Sequence, residues 1–166
     1  MYFNEIKRTM NYLAKKNNTI FIGQAVSYPG TAMFNTLNEI NHNKKIELPV
    51  FEETQMGMSI GFAMEGFVPI TIFPRFNFLL PAINQLVNHL DKIKEYSNNE
   101  FNPKVIIRTS IGSIKPLDPQ SQHRGDFTNS LKLMLKNIDI IKLNNTNKIF
   151  NAYKKAYQRK DNKSTI

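Results

Sequence analysis

Apolar residues alternate between helical and strand spacing along the chain. Ile6, Met10 and Leu13 recur every three or four positions and predict an amphipathic helix over Ile6–Lys16, which Asn17-Asn18 ends. Thr19–Ile22 is a short β-branched and aromatic run closed by Gly23, the pattern of a buried strand. Ser27-Tyr28-Pro29-Gly30 is a turn, and Thr31 is placed to cap a helix through Leu37. After the polar loop Asn41–Lys45, a strand is predicted over Ile46–Leu48, closed by Pro49, and then a helix over Phe51–Gly66 with Glu52 and Glu53 in its first turn. Val68–Phe73 is the third strand. Leu79–Ile93 carries an apolar stripe (Leu80, Ile83, Leu86, Val87, Leu90) and predicts a long helix. Lys104–Arg108 is the fourth strand, Phe127–Leu135 a helix, Ile138–Leu143 the fifth strand and Thr146–Arg159 the last helix. Thr109–Gly125, with Gly112, Pro116, Pro119 and Gly125, is a long irregular stretch of the kind that carries function or stays disordered.

Strands alternating with helices at this spacing predict an α/β fold: an open, mostly parallel sheet with helices on both faces. Ligands in such folds gather beyond the carboxyl ends of the strands. Four segments fall there: Gly23–Pro29, Pro49–Glu53, Pro74–Phe78 and the loop Thr109–Gly125.

Composition narrows the picture. A length of 166 residues suits one domain, and 41% hydrophobic content with 12 Phe excludes a disordered chain. No apolar stretch approaches the roughly 20 residues that cross a bilayer, and the amino terminus is not a signal peptide, so the expected location is the cytoplasm. With no Cys there is no disulfide, no thiolate metal site and no Cys nucleophile. The net charge of +9 invites a nucleic-acid reading, but its distribution argues against one. Residues 1–130 hold 13 basic and 11 acidic residues, whereas residues 131–166 hold 9 and 2. The surplus is mostly carboxyl-terminal, as expected of a solvated outer face or of a surface for an acidic partner.

Candidate chemistry lies in three places. Glu52 is either a proton donor at a strand end or a solvated acid at a helix start. Gly57 and Gly61 lie on one helix face, and each costs about 1 kcal/mol against Ala, which implies either internal helix–sheet packing or a close approach to another helix or a ligand. In Phe73-Pro74-Arg75-Phe76-Asn77-Phe78, a Phe either stacks on a flat heterocycle or joins the core. His123, in the long loop, is a proton-transfer candidate or a solvated side chain. Gly125-Asp126-Phe127 lacks the second Gly of a diphosphate–magnesium Gly-Asp-Gly motif. No Walker loop, dinucleotide Gly-x-Gly-x-x-Gly or metal-spaced His/Asp cluster is present in the sequence.

In order, Pro49-x-x-Glu52, Gly57, Gly61, Ala63, Gly66, Phe76-Asn77-Phe78, Ala82-Ile83-Asn84-Gln85 and Gln122-His123 resemble the pyrimidine-binding domain of thiamine-diphosphate enzymes. The pattern is most similar to the amino-terminal half of the beta subunit of pyruvate dehydrogenase-type 2-oxo-acid dehydrogenases, within the transketolase-like superfamily. The likeness covers roughly residues 3–166. It implies that Glu52, or Glu53 if the register slips by one, hydrogen-bonds a ring nitrogen of the aminopyrimidine and assists its imino tautomer. It implies that Phe78, or in second place Phe76, packs on the pyrimidine, that Gln24 lies near the cofactor, and that His123 serves substrate or proton transfer. Where the family often has Gly-Glu-Asp-Val or Gly-Glu-Glu-Val, this chain has Gly23-Gln24-Ala25-Val26.

The resemblance further implies a single pyrimidine-binding domain over residues 1–166, lacking the diphosphate-binding domain and the carboxyl-terminal transketolase-type domain. A separate alpha-type chain would hold the diphosphate and magnesium. Assembly would be a heterotetramer, or at least a dimer through the helix that starts at Glu52. The reaction expected is 2-oxo-acid decarboxylation or ketol/aldehyde transfer, with the chain inactive alone. A non-catalytic subunit that keeps the fold and interface is the alternative, and a basic nucleic-acid-binding domain the third reading.

Overall fold

β1 (Thr19–Gly23), β2 (Lys45–Glu47), β3 (Val68–Ile72) and β4 (Ile106–Arg108) form an all-parallel sheet in the order β2-β1-β3-β4. The computed structural model describes residues 1–112, 114 and 118–166, so Pro116 of the long loop lies outside the described residues. Register aligns Gly23 with both Glu47 and Ile72, and Ile72 with Arg108, so these four residues form one row at the carboxyl edge of the sheet. Beyond β4, Thr165 bridges in parallel to both Ile106 and Asp139. The Ile107 amide donates to Thr165 O at 2.8 Å and the Ile166 amide to Asp139 O at 2.8 Å.

Helices cover both faces, as the alternating pattern predicts. On one face α1 (Tyr2–Ala14) and α6 (Thr146–Gln158) pack over Phe21, Ile70, Ile72 and Ile106, with Ile6, Met10, Leu13 and Ile149 supplying the helical side of that core. On the other, α3 (Glu52–Met64), the helical stretch 76–90 and α5 (Thr128–Met134) enclose Met56, Phe73, Leu79, Leu86, Ile107 and Leu131. Thr31 caps the short α2 (Ala32–Asn35), its hydroxyl accepting from the Phe34 amide at 3.0 Å. No helix among the described residues is long and apolar enough to cross a membrane.

Two elements differ from expectation. The helix predicted over Leu79–Ile93 is a 3-10 stretch (Phe76–Ala82), a π turn (Gln85–Leu90) and a short α4 (Ile93–Tyr96). Pro81 has no amide to donate and lies inside the 3-10 stretch, which runs on through residues 83–84 into the π turn. The strand predicted over Ile138–Leu143 shrinks to the single bridge at Asp139, because its ladder partner is only the short run 164–166.

One buried acid that periodicity does not reveal holds this half together. Asp91 is fully buried. Its Oδ1 accepts from the amides of Lys136 (2.9 Å) and Asn137 (2.7 Å), and its Oδ2 pairs with Lys92 at 2.8 Å. Asp91→Ala strands both amides and is expected to cost about 2–3 kcal/mol in urea unfolding. A loss below about 0.5 kcal/mol would remove this role.

Candidate functional site

The loop after β1 brings the site together. Gly23 has φ +143°, and a Cβ built on it would lie 2.3 Å from Ile72 O and 2.8 Å from Gln55 Nε2. Only glycine allows β1 and β3 to run this close while the chain turns away. The Glu47 carboxylate, at the end of β2, then accepts three amides in succession: Ala25 at 2.8 Å, Val26 at 2.7 Å and Ser27 at 2.6 Å. Val26 is fully buried in the α1/α6 core, and Ala25 takes φ +57°, a conformation the Glu47 clamp and the Val26 anchor hold in place. Gln24 is thereby held over the start of α3, where its Nε2 donates to Glu52 Oε1 at 3.2 Å.

Glu52 is 7% exposed, so of the two readings of this acid the solvated one does not apply. Its neighbour Glu53 is the exposed acid of the first turn, and its Oε1 accepts from Asn84 Nδ2 at 3.0 Å. A step of one residue on a helix turns a side chain by roughly 100°, so burying Glu52 exposes Glu53. Gln55, fully buried one turn on, ties α3 to the sheet: its Nε2 donates to Thr71 Oγ1 (2.9 Å) and Ile72 O (3.0 Å). Gln55 Oε1 has no partner among the described residues.

Phe76 and Phe78 point to different places. Phe76 is buried and meets Phe127 edge-on at 5.5 Å between centroids, so it belongs to the core. Phe78 is half-buried and meets the His123 ring edge-on at 5.1 Å. Phe78 also packs against that core but, unlike Phe76, keeps part of its surface open. His123 is half-buried, and its Nδ1 is sealed from solvent with no partner among the described residues. Its backbone lies against Gly112, where a Cβ would sit 2.2 Å from His123 O. The structure thus forms two pairs, Gln24–Glu52 and Phe78–His123. They are joined by the packing of the 76–82 stretch against α3 and against residues 121–123. No hydrogen bond links Glu52 to His123 among the described residues.

Packing within the chain requires neither helical glycine. A Cβ on Gly57 would make only ordinary contact with Gln85, at 3.8 Å. Gly61 is exposed and meets nothing within 4 Å. Together with half-exposed Met58 it leaves an outer face of α3 that this chain does not cover.

Sequence reasoning missed Glu47 and Gln55. Both act across the fold, Glu47 on amides some 20 residues away, and neither belongs to a periodic or spaced motif. Asp126, set aside above, is engaged by its own chain: Oδ1 accepts from the Thr128 amide (3.1 Å) and hydroxyl (2.6 Å), and Oδ2 pairs with Lys142 at 2.7 Å. The Lys142 hydrogen bond, followed by those from Thr128, lowers its carboxyl to about 2. A depressed carboxyl stabilises the fold above its ordinary value of 3.8, and that contribution fades as pH falls toward about 2. The pair is exposed, so the energy is small. NMR titration is expected to place the Asp126 midpoint near 2 and to find it moved toward 3.8 in Lys142→Met. Among the described residues there is no group of three His, Cys, Asp or Glu able to hold a metal ion.

The fold is that of the transketolase type. The chain superposes over 99% of its length on a solved chain described as a split-gene transketolase, inactive beta4 tetramer, at TM-score 0.74 and 14% identity, covering 49% of that chain. Its sequence resembles the beta subunits of 2-oxo-acid dehydrogenases. It is 26% identical over 115 residues to the 2-oxoisovalerate dehydrogenase subunit beta of Bacillus subtilis (67% of this chain, 35% of the relative). It is 30% identical over 115 residues to the pyruvate dehydrogenase E1 component subunit beta of Cyanidium caldarium (68% of this chain, 35% of the relative). The chain thus spans about a third of the length of these curated relatives. No family model matches it. These likenesses agree with the resemblance to the beta subunits of 2-oxo-acid dehydrogenases and to the transketolase-like superfamily.

Proposed function

We propose that this chain supplies the aminopyrimidine side of a thiamine-diphosphate site in a split enzyme, for 2-oxo-acid decarboxylation or ketol/aldehyde transfer. The observation that carries the reading is Glu52: a buried carboxyl at the carboxyl edge of a parallel sheet, oriented by Gln24 through one oxygen, with no partner on the other among the described residues. The residues present fit the heterocycle. Glu52 offers a carboxyl to a ring nitrogen, half-buried Phe78 offers a ring face, and His123 Nδ1 is a sealed polar atom with no protein partner among the described residues. Thiamine diphosphate supplies the electron sink that cleavage beside a carbonyl needs.

This chain's own residues do the rest. Glu52 holds or yields a proton at its free oxygen, Gln24 fixes the direction of that carboxyl, Phe78 sets the plane of the ring, and His123 exchanges a proton with substrate. On this reading residues 1–166 form a single pyrimidine-binding domain. A separate alpha-type chain binds the diphosphate through magnesium. The outer face of α3 contacts a neighbouring subunit in a dimer or heterotetramer, in the cytoplasm. The neighbouring-subunit role gives exposed Gly61 and Met58 a reason that packing within the chain does not.

Calorimetry tests the proposal. The purified chain is expected to bind no thiamine diphosphate with magnesium, and the chain mixed with a diphosphate-domain partner is expected to bind it. A reconstituted pair that binds no cofactor would overturn the reading.

A further inference from the structure

β4 ends in a charge that the chain does little to neutralise. Side chains alternate along a strand, so with Ile106 beneath α1 and α6 and Ile107 in the opposite core, Arg108 returns to the α1/α6 side. It is 7% exposed. A guanidinium carries five N–H donors, and among the described residues its one side-chain acceptor is the Thr36 hydroxyl, 2.9 Å from Nη1. Arg8, Arg124 and Arg159 are more exposed, yet each has a carboxylate within ion-pair distance: Glu5, Asp118, and Asp139 with Asp161. The groups that couple to Arg108 are instead the phenols of Tyr153 on α6 and Tyr2 at the start of α1. Burial pushes the guanidinium below its ordinary value and lifts the Tyr153 hydroxyl, which the nearby positive charge opposes.

A buried charge without a counter-charge is strongly disfavoured, and evolution or a ligand must compensate it. The guanidinium and the Thr36 hydroxyl stand together with no acid within ion-pair distance among the described residues. We propose that Arg108 is the floor of a recognition site for a single carboxylate. A planar guanidinium fork matches the two oxygens of a carboxylate. A single positive charge balances one negative charge, whereas a phosphate dianion would leave a surplus. The site lies at the carboxyl edge of the sheet, on the face away from α3 and Glu52, and does not depend on the function proposed above. A free small acid and an acidic side chain of a second copy present the same chemistry.

Acetate, added to the full chain at constant ionic strength, is the probe. NMR of the Arg108 Nε–H and of the Thr36 and Tyr153 amides is expected to show saturable shifts that chloride does not produce. In Arg108→Gln the affinity is expected to fall at least tenfold, and Arg108→Lys is expected to fall between. Sedimentation during the titration separates the sources. An unchanged mass means a free small acid, and a mass that falls as acetate enters means the side chain of a second copy. The proposal is overturned by the absence of any saturable shift, by an equal response in Arg108→Gln, or by inorganic phosphate binding more tightly than acetate. If Arg108→Gln does not fold, the wild-type Nε–H response decides.

Discussion

Glu52→Gln, in the complex with a diphosphate-domain chain, is expected to slow exchange of the thiazolium carbon-bound proton by about 100- to 10,000-fold, the range a positioned acid–base group contributes. Gln keeps the length of the side chain and an oxygen for Gln24 Nε2, so the fold and the 3.2 Å contact survive while the transferable proton is lost. Stability is therefore expected to change by less than about 1 kcal/mol. That split between chemistry and stability is what distinguishes an acid–base role from a buried structural one. Glu53→Gln is expected to change exchange only a few-fold, since Glu53 is exposed and engaged with Asn84. Exchange unchanged in Glu52→Gln would remove the role assigned to it, and a loss confined to Glu53→Gln would move the role by one residue.

The choice between those two acids shows where sequence reading stops. The helix over Phe51–Gly66 and its acidic first turn were visible in the sequence, and the structure places α3 at Glu52–Met64. Which acid turns inward depends on how α3 sits on β1 and β3, a tertiary fact. The Gln55 anchor to Thr71 and Ile72 makes that seating visible in the structure. The parallel sheet was legible for the same reason: buried β-branched runs such as Val68–Ile72 leave few other readings. The stretch from Leu79 to Ile93 was less legible, since an apolar stripe fits α, 3-10 and π turns alike and Pro81 decides among them only locally. Phe78, with Phe76 in second place, was offered as a ligand contact from the resemblance alone; the structure adds that Phe76 meets Phe127 and Phe78 meets His123. The Glu47 clamp was invisible, because an acid at a strand end gives no sign that three amides of the neighbouring loop will close on it.

Gly23→Ala is expected to destabilise the chain by about 3 kcal/mol or more in denaturant unfolding. Two costs add. A φ of +143° is strained for any residue with a Cβ, worth about 1–3 kcal/mol. The new methyl would also sit 2.3 Å from the Ile72 carbonyl oxygen, a backbone atom that cannot step aside without opening the β1–β3 ladder. The Gln55 amide, 2.8 Å away, would have to give up its place against Ile72 O, loosening α3 beneath Glu52. The damage should therefore reach the site even in molecules that remain folded, seen as loss of the Gln24–Glu52 contact by NMR. Gly61→Ala is the matched control. Its methyl meets nothing within 4 Å, and in the isolated chain it should gain about 1 kcal/mol from helix propensity alone. If the outer face of α3 packs against a neighbouring subunit, the same methyl should weaken assembly while stabilising the separate chain. A Gly23→Ala chain as stable as the wild type would mean that β1 and β3 do not approach as closely as the row of Gly23, Glu47, Ile72 and Arg108 requires.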